Sequence, residues 1–300
     1  ETDQCRSVFR LTIMTPLRQQ MIAAMRQRGF AVRTHQTYLG AVEALAKHFN
    51  RSPDQLSLIE LQQYFDFLVQ SRDLSGATCR VYLNGIRFLY LHVLKWSSFD
   101  VKLVVPKKAQ RIPELLTRKE VDCLIAAVSN LKHRTMLLTC YGCGLRLNEL
   151  IHLKVKDIDG ERQLLRITQG KGGKDRLVIV SSGLLDVLRH YWSLYHPTIW
   201  LFPNSDPRKP LHEQTAQRIF KKAKSAAGIN KVGGIHGLRH AYATHQLEAG
   251  LPVHQLQRLL GHSTLQSTLR YVHWVHNYRE GRESVSDLVS HLEARHEQTH

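Results

Sequence analysis

The sequence predicts a mainly α-helical protein of two domains, with a small β-hairpin or sheet in the second domain. Its 300 residues favour two hydrophobic cores over one. Apolar residues recur at helical spacing through the first hundred residues and through much of the second half. A Gly-rich turn between two short segments with strand character interrupts this pattern in the second half.

Four helices are predicted within residues 14–100, which we assign as the first domain. The segment Ser57-Leu-Ile-Glu60 is a capping box ahead of the third helix, and Ser75 can cap the fourth. Short connections between them indicate a small helical bundle. Met14 is a candidate start position, so residues 1–13 are interpreted as an upstream extension. The expected core-facing residues are Leu17, Met21, Ile22 and Met25; Tyr38, Val42, Leu45 and Phe49; Leu61, Tyr64, Phe65 and Leu68; and Tyr82, Ile86, Leu89 and Val93.

A linker and a second domain follow. Residues 101–113 combine proline with clustered lysine and arginine, which predicts an extended basic linker; a plain solvated loop is the alternative. The second domain, 114–295, opens on the capping box Thr117-Arg-Lys-Glu120. Strands are predicted at Leu164–Thr168 and Arg176–Val180, on either side of the Gly-rich turn.

The charge of the chain indicates a polyanionic partner. Lysine and arginine number 42 against 25 acidic residues, a net charge of +17. The excess is divided almost evenly between the two halves, whereas a membrane-anchoring patch is more often one dense run. The sequence also has no apolar stretch long enough to span a bilayer. We therefore expect double-stranded DNA as the partner and no membrane association.

Cysteine and histidine spacing argues against a metal site or a disulfide framework. Cys140 and Cys143 form one C-x-x-C without a second pair, so they are interpreted as small buried residues, with redox or metal chemistry as the alternative. His236 and His240 are four residues apart, but the glutamate of a zinc-protease motif is absent between them. We expect no metal or cofactor, a packing role for His240, and a reducing cytoplasmic setting.

Four local patterns in the second domain carry candidate chemistry. Each alone has an ordinary interpretation: a surface ion pair, a tight hairpin turn, a helix cap or a core tyrosine. Their fixed order along the chain is what distinguishes them. The patterns are Gly144-Leu-Arg146-Leu-Asn-Glu149-Leu150; Gly170-Lys171-Gly-Gly-Lys174-Asp-Arg176; His236-Gly-Leu-Arg239-His240; and Leu260-Gly-His262 followed, after eight residues, by Tyr271.

In this combination the chain resembles the tyrosine recombinase, or phage integrase, family over about residues 15–295. The resemblance implies a helical, SAM-like core-binding domain that contacts DNA, followed by an α+β catalytic domain of the tyrosine recombinase type. It implies a site-specific recombinase or integrase of the simple two-domain type, working as a tetramer on two duplexes. The reaction would cleave and rejoin DNA through a 3′-phosphotyrosyl intermediate without ATP or metal, in DNA integration or transposon-associated recombination. The implied catalytic residues are Arg146, Lys171, His236, Arg239, His262 and Tyr271.

Elementary chemistry gives each of these residues a role. Two arginines, Arg146 and Arg239, suit the charge that gathers on the phosphorane oxygens, and His262 adds a hydrogen bond to the same phosphate. Ionising a tyrosine at neutral pH costs about 4 kcal/mol, so Tyr271 needs both that positive charge and a proton acceptor, for which His236 is the candidate.

Several assignments stay open from the sequence alone. Lys171 is the candidate acid for the leaving 5′-oxygen, with Lys174 as the alternative. Glu149 is a candidate to orient Arg146, against a plain surface role. Tyr278 is the rival nucleophile, outside the family's spacing. A helix over Ser284 to Leu292 is expected to dock onto a neighbouring subunit, with packing on its own domain as the alternative. A type IB topoisomerase and a non-catalytic DNA-binding protein are the rival functions.

Overall fold

The computed structural model describes residues 15–72, 74–104, 113–168, 175–275, 278, 281 and 286–290. The chain divides into two compact units, residues 1–110 and 111–300, and each has its own hydrophobic core. The predicted fold class, mainly helical with one small sheet, is confirmed. Within the described part of the chain, no helix combines the length and the apolar character that crossing a bilayer requires.

The first unit is a helical bundle whose helix starts follow from local capping. The hydroxyl of Thr15 accepts from the backbone of Arg18, and Ser75 caps the fourth helix in the same way. The predicted capping box of Ser57 and Glu60 is formed. The helices are α1 (Pro16–Gln27), α2 (Val32–Phe49), α3 (Leu58–Gln70) and α4 (Gly76–Phe88), with a 3₁₀ turn at Pro53–Gln55 and a π-helical turn at Leu89–Val93.

The core of this unit is built from the predicted apolar faces. Met21, Met25, Leu45 and Phe65 are essentially inaccessible to solvent. Helices α2 and α4 pack closely because α4 presents Gly85 to α2, where a Cβ atom would lie 3.0 Å from the Cα of Tyr38. The π-helical turn after α4 was not predicted, since its residues continue the helical apolar pattern.

The second unit is helical around a three-stranded antiparallel sheet. Strand β2 (Leu164–Ile167) lies between β1 (Ile158–Asp159) and β3 (Arg176–Ile179). Asp159 lies opposite Leu164, and Leu165 lies opposite Val178. Strands β2 and β3 fall inside the predicted strands; β1, two residues long, was too short to predict. The elements are α5 (Arg118–Ala126), α6 (Leu131–Gly142), α7 (Leu147–Ile151), a 3₁₀ turn (Val155–Asp157), β1 (Ile158–Asp159), β2 (Leu164–Ile167), β3 (Arg176–Ile179), α8 (Ser182–Tyr195), α9 (Glu213–Ala226), α10 (His236–Glu248), α11 (Val253–Leu260) and α12 (Gln266–Val272).

Helix α10 lies in the core of this unit and packs against α6, α11 and α12. Its Tyr242 is completely buried, and its ring occupies the space where any side chain at position 144 would be. Gly144 also has a φ of +58°, so glycine is required there both for conformation and for space. Cys140 and Cys143 are buried nearby, and burial raises the pKa of each thiol to about 12, consistent with their interpretation as core residues.

The described residues near the C-terminus, 286–290, pack on their own domain. Leu288 and Val289 are buried in the core of the second unit, and the backbone of Ser286 exchanges hydrogen bonds of 2.8 and 2.9 Å with the Gln246 side chain. The helix predicted from Ser284 to Leu292 is not formed at residues 286–289, where the backbone is irregular and Asp287 accepts from the N–H groups of Val289 and Ser290. Leu288 and Val289 pack in cis, and docking of this segment onto a neighbouring subunit stays a prediction. Ser284, Val285 and Leu292 lie outside the described residues.

Candidate active site

Arg146 is placed by the start of a short helix and by the end of a distant one. It precedes α7, where its backbone N–H donates to Oε2 of Glu149 at 2.8 Å. Its guanidinium donates to Oε1 of Glu149 at 2.7 Å and to the carbonyl of Gly261, just after α11, at 3.1 Å. Arg146 is therefore fixed at both ends while part of its side chain stays accessible.

Arg239 is a fully buried cation on α10, with a side chain only 1 % exposed. It donates to the carbonyls of Gly144 at 2.6 Å and Leu260 at 2.7 Å, and to Nε2 of His262 at 3.1 Å. Burial, and then the charge of Arg146, lowers its pKa to about 10, which still leaves it protonated at neutral pH. The carbonyls offset the cost of burying this charge and fix the direction of its N–H groups.

Glu149 is the buried anion that pairs with these arginines. Its two oxygens accept a bidentate pair from Arg176 at 2.7 and 2.8 Å, and the Arg239 guanidinium lies 3.9 Å away. Burial opposes ionisation, but hydrogen bonds and charge from Arg176, then hydrogen bonds from Arg146, lower the pKa of Glu149 to about 2. The predicted contact between Glu149 and Arg146 is present, and the plain surface role is wrong, because this carboxylate is buried.

Arg176 was not among the predicted site residues. It begins β3, and its Nε donates to the carbonyl of Leu259 at 2.8 Å. Gly261, with a φ of +61°, leaves room for it: a Cβ atom there would lie 2.8 Å from Cδ of Arg176. Its position directly after the Gly-rich turn was visible in the sequence, but nothing local indicated that it would pair with Glu149.

Tyr271 lies on α12 and is 2 % exposed. Its ring stacks on His262, with centroids 6.2 Å apart and planes 5° from parallel, and meets Trp274 edge-on at 5.2 Å. Its hydroxyl lies 3.0 Å from Nδ1 of His240. Burial raises the pKa of Tyr271, while the charges of nearby arginines, Arg239 first, oppose that rise.

His262 uses both of its ring nitrogens inside the protein. Since Arg239 can only donate, Nε2 of His262 accepts, and the ring proton belongs on Nδ1, 2.8 Å from Oγ1 of Thr268. Burial and then the charge of Arg239 lower the pKa of His262 to about 3, so this ring is neutral. The predicted hydrogen bond from His262 to phosphate requires a ring nitrogen to leave its present partner. Either Nδ1–H leaves Thr268, or Nε2 leaves Arg239 and gains the proton.

The histidines of α10 are arranged differently from expectation. His236, at the first turn, is exposed, and its ring meets the ring of His240 edge-on at 4.7 Å. We expected His236 near the tyrosine hydroxyl and a packing role for His240; it is His240 that contacts Oη of Tyr271. His236 and His240 are four residues apart, a spacing considered above only as a metal-binding pattern. In a helix the same spacing places both rings on one face.

Five of the six predicted residues therefore converge, and the rival tyrosine is engaged elsewhere. Arg146, His236, Arg239, His262 and Tyr271 are brought together around the end of α11 and the start of α10. Lys171 and Lys174 lie outside the described residues. The hydroxyl of Tyr278 donates to the carbonyl of Leu251 at 3.1 Å. Such a set, two arginines and neutral imidazoles about a tyrosine, can bind a phosphodiester and attack it.

Most of the chain is similar in sequence to known DNA recombinases. Residues 114–277 match the model of the phage integrase family, and residues 17–98 match its N-terminal SAM-like domain. The chain belongs to this family, the tyrosine recombinases, which are enzymes that cleave and rejoin DNA strands. A relative in Sinorhizobium fredii named as an integrase/recombinase, y4qK, is 38 % identical over 262 residues, covering 87 % of this chain and 85 % of that one. Tyrosine recombinase XerD of Vibrio vulnificus is 34 % identical over 277 residues, covering 85 % and 90 %.

Solved structures of recombinases share the fold. The XerH site-specific recombinase in its post-cleavage complex with a palindromic difH substrate aligns with a TM-score of 0.66 and 21 % identity, covering 87 % of this chain and 82 % of that one. A lambda integrase dimer bound to a COC′ core site aligns with a TM-score of 0.68 and 17 % identity, covering 89 % and 79 %. At these identities the likeness concerns the fold.

Proposed function

We propose that this protein is a site-specific DNA recombinase that cleaves and rejoins double-stranded DNA through a 3′-phosphotyrosyl link at Tyr271. The observation that carries the proposal is the convergence of the Tyr271 hydroxyl with two arginines and three histidines. The named relatives are integrases and recombinases, and the structural neighbours include complexes with DNA, which supports DNA as the substrate.

The scissile phosphate binds to Arg146 and Arg239. The phosphorane that forms on attack carries more negative charge than the ground state, so fixed cations stabilise it preferentially. Glu149 holds Arg146, and backbone carbonyls hold Arg239, so little reorganisation is needed when charge develops. Loss of one such donor typically costs about 2.7–4 kcal/mol of transition-state stabilisation. We propose that His236, which is exposed at the first turn of α10, adds a hydrogen bond to the same phosphate.

Tyr271 attacks the phosphorus, its phenolic proton passes to a base, and the bond to the 5′-oxygen breaks. The leaving oxygen takes a proton from Lys171, for which Lys174 is the alternative. Attack by a 5′-hydroxyl from another strand reverses these steps and releases Tyr271. The phosphodiester energy is kept in the phosphotyrosine, so ATP is not consumed, and the arginines supply the positive charge that a metal gives other phosphoryl-transfer enzymes.

Strand exchange between two duplexes needs several active sites, so we propose a tetramer on DNA, in the cytoplasm of a bacterial cell at the nucleoid. We propose that the first domain, residues 14–100, and the catalytic domain, residues 114–295, each contact DNA. Most of the predicted basic linker, 101–113, lies outside the described residues. Integration or transposon-associated recombination is the proposed process.

A nicked suicide duplex tests the chemistry, since loss of the short strand beside the nick traps the covalent adduct. DNA recovered with the protein from cells supplies the sequence. The wild type should form a protein–DNA adduct, Tyr271→Phe should form none, and the matched control Tyr278→Phe should form it normally. An adduct with Tyr271→Phe would show that another residue is the nucleophile. No adduct with the wild type on any recovered sequence would contradict the recombinase proposal.

A further inference from the structure

His240 is a titratable side chain that the proposed roles leave unused. It lies on α10, one turn after His236, and is half-buried between the His236 ring, the Tyr271 ring at 5.6 Å and the Trp274 ring at 5.9 Å. Its Nδ1 is 3.0 Å from Oη of Tyr271. That is hydrogen-bonding distance to the atom that attacks phosphorus, so His240 touches a reacting group.

The surroundings decide the direction of this hydrogen bond. Arg239 and Arg270 place positive charge near the Tyr271 hydroxyl, and an arginine can offer only donors to its oxygen. The hydroxyl proton is then best directed at the unprotonated Nδ1 of a neutral His240. His236, by contrast, is exposed, and in the described part of the chain the imidazole with a hydrogen bond to this hydroxyl is that of His240.

We propose that His240, rather than His236, is the base that takes the phenolic proton of Tyr271 during DNA cleavage. The inference rests on the recombinase function proposed above. The Oη–H bond breaks as Nδ1–H forms, and the electron pair left on Oη makes the bond to phosphorus. The P–O5′ bond breaks, and the 5′-oxygen takes its proton from the separate lysine acid. On rejoining, His240 returns its proton to the released Tyr271.

The charges around His240 keep it neutral in the free protein and should make it a stronger proton acceptor when DNA binds. Burial, and then the neighbouring His236, Arg239 and Arg270, lowers the pKa of His240 to about 4 in the free protein, so the ring is neutral and able to accept. A bound phosphate brings negative charge beside Arg146 and Arg239. That charge offsets the cations and raises the proton affinity of His240 as the nucleophile is needed.

Single-turnover cleavage of the suicide duplex as a function of pH tests this role. In His240→Asn the amide oxygen can accept the hydrogen bond near the position of Nδ1 but cannot take the proton. We expect cleavage to fall about 100-fold at neutral pH, a usual size for loss of a general base. Because hydroxide must then remove the proton, the deficit relative to wild type should shrink about tenfold for each pH unit gained.

Two matched variants separate the possible causes. His236→Asn should lower the rate by a constant factor at all pH values, since it would lose a phosphate contact and not the base. His190→Asn, an exposed histidine on α8, should behave as wild type. Thermal melting of each variant checks that the fold is kept. His240→Gln provides a second substitution at this position if His240→Asn fails to fold.

Failure of the His240 role and failure of the proposed recombinase function give different results. A wild-type adduct together with an unchanged rate in His240→Asn overturns the role of His240 alone. So does a deficit in His240→Asn that is constant with pH, or a pH-dependent deficit that appears in His236→Asn instead. Absence of any adduct with the wild type overturns the recombinase proposal and this inference with it.

Discussion

A single buried carboxylate organises much of the candidate site. Glu149 accepts from Arg146 and Arg176 and lies 3.9 Å from Arg239. Three guanidinium groups this close would repel one another without a buried anion between them. A buried charge whose partners are removed is costly, so the free energy of this group depends on all of its hydrogen bonds being made.

The free energy of unfolding should depend on pH through the ionisation of Glu149. Its folded pKa of about 2 lies below the ordinary 4.5, so its contribution, about 3 kcal/mol, is present above pH 4.5 and is lost as pH falls towards 2. Urea unfolding should show Glu149→Gln less stable than wild type at neutral pH, with the gap narrowing in acid. The control Glu161→Gln, at an exposed turn, should match wild type throughout. A gap that stays constant with pH would mean that charge is not the cause.

Removal of Arg176 should destabilise the second domain. Arg176→Met keeps an apolar stem but leaves Glu149 without its bidentate partner, and breaking a buried pair from one side costs about 3–5 kcal/mol. The exposed Arg162, 3.5 Å from Asp159, gives a matched control: Arg162→Met should cost less than about 1 kcal/mol. Denaturant unfolding at neutral pH measures both. Equal, small effects would contradict the importance of the buried pair.

Helix α10 carries three histidines, His236, His240 and His245, in surroundings that lower the pKa of each ring. His245 is the most buried of them, 3 % exposed, with its Nδ1 2.8 Å from the hydroxyl of Tyr141. Burial, and then the charge of Arg118, lowers its pKa to about 4. Packing of the helix is therefore more stable when the imidazole of His245 is neutral.

Mild acid should lower the stability of the folded protein, because protonation of His245 on α10 is unfavourable in the folded state. Because the folded pKa of His245 lies below the ordinary 6.5, the unfolded chain binds the proton more tightly, and stability is lost as pH falls from 6.5 towards 4. His245→Gln cannot titrate, so its melting temperature should fall less steeply over that range. His190→Gln, on the exposed face of α8, should keep the wild-type slope. If the melting temperature of His245→Gln falls with pH as steeply as that of wild type, groups other than His245 cause the acid sensitivity.

Elements with local signals were predicted well, and those fixed by distant contacts were not. Capping at Ser57 and Thr117 and the apolar stripes located most helix starts, because these signals are contained in one or two turns. The strands β2 and β3 followed from a Gly-rich turn between β-prone residues. Strand β1 exists because β2 offers it a pairing edge, which no local pattern records.

The residues of the candidate site likewise fall into two groups: those indicated by local sequence motifs and those placed by tertiary contacts. Spacing along the chain selected Arg146, Arg239, His262 and Tyr271, because the motif is a property of sequence order. The contact between His240 and Tyr271 joins α10 to α12 and depends on how those helices pack. Likewise, the bidentate pairing of a strand residue with Glu149 spans 27 positions. Such partners follow from tertiary structure, so the sequence could name candidates without pairing them.

The excess of positive charge over the whole chain is the property most relevant to the proposed DNA substrate. The net charge of +17 is distributed over both units, which suits long contact with two phosphate strands. On the second unit, α9 carries lysines toward the recess that His236 borders: Lys221 and Lys224 line it together with Leu147 and Gly234. A duplex whose phosphate reaches His236 would therefore pass close to α9.

DNA affinity should fall steeply with salt, because each lysine or arginine that contacts a phosphate releases condensed counterions. The slope of log affinity against log salt should be about −0.9 for each phosphate contacted, measured by fluorescence anisotropy on a labelled duplex. Lys221→Gln should make the slope shallower by about one such unit. Lys209→Gln should leave it unchanged, since Asp206 already lies 3.9 Å from that ammonium. A flat salt response of the wild type would contradict the proposed binding of the DNA phosphates by lysine and arginine. An unchanged slope in Lys221→Gln would place the phosphate path away from α9.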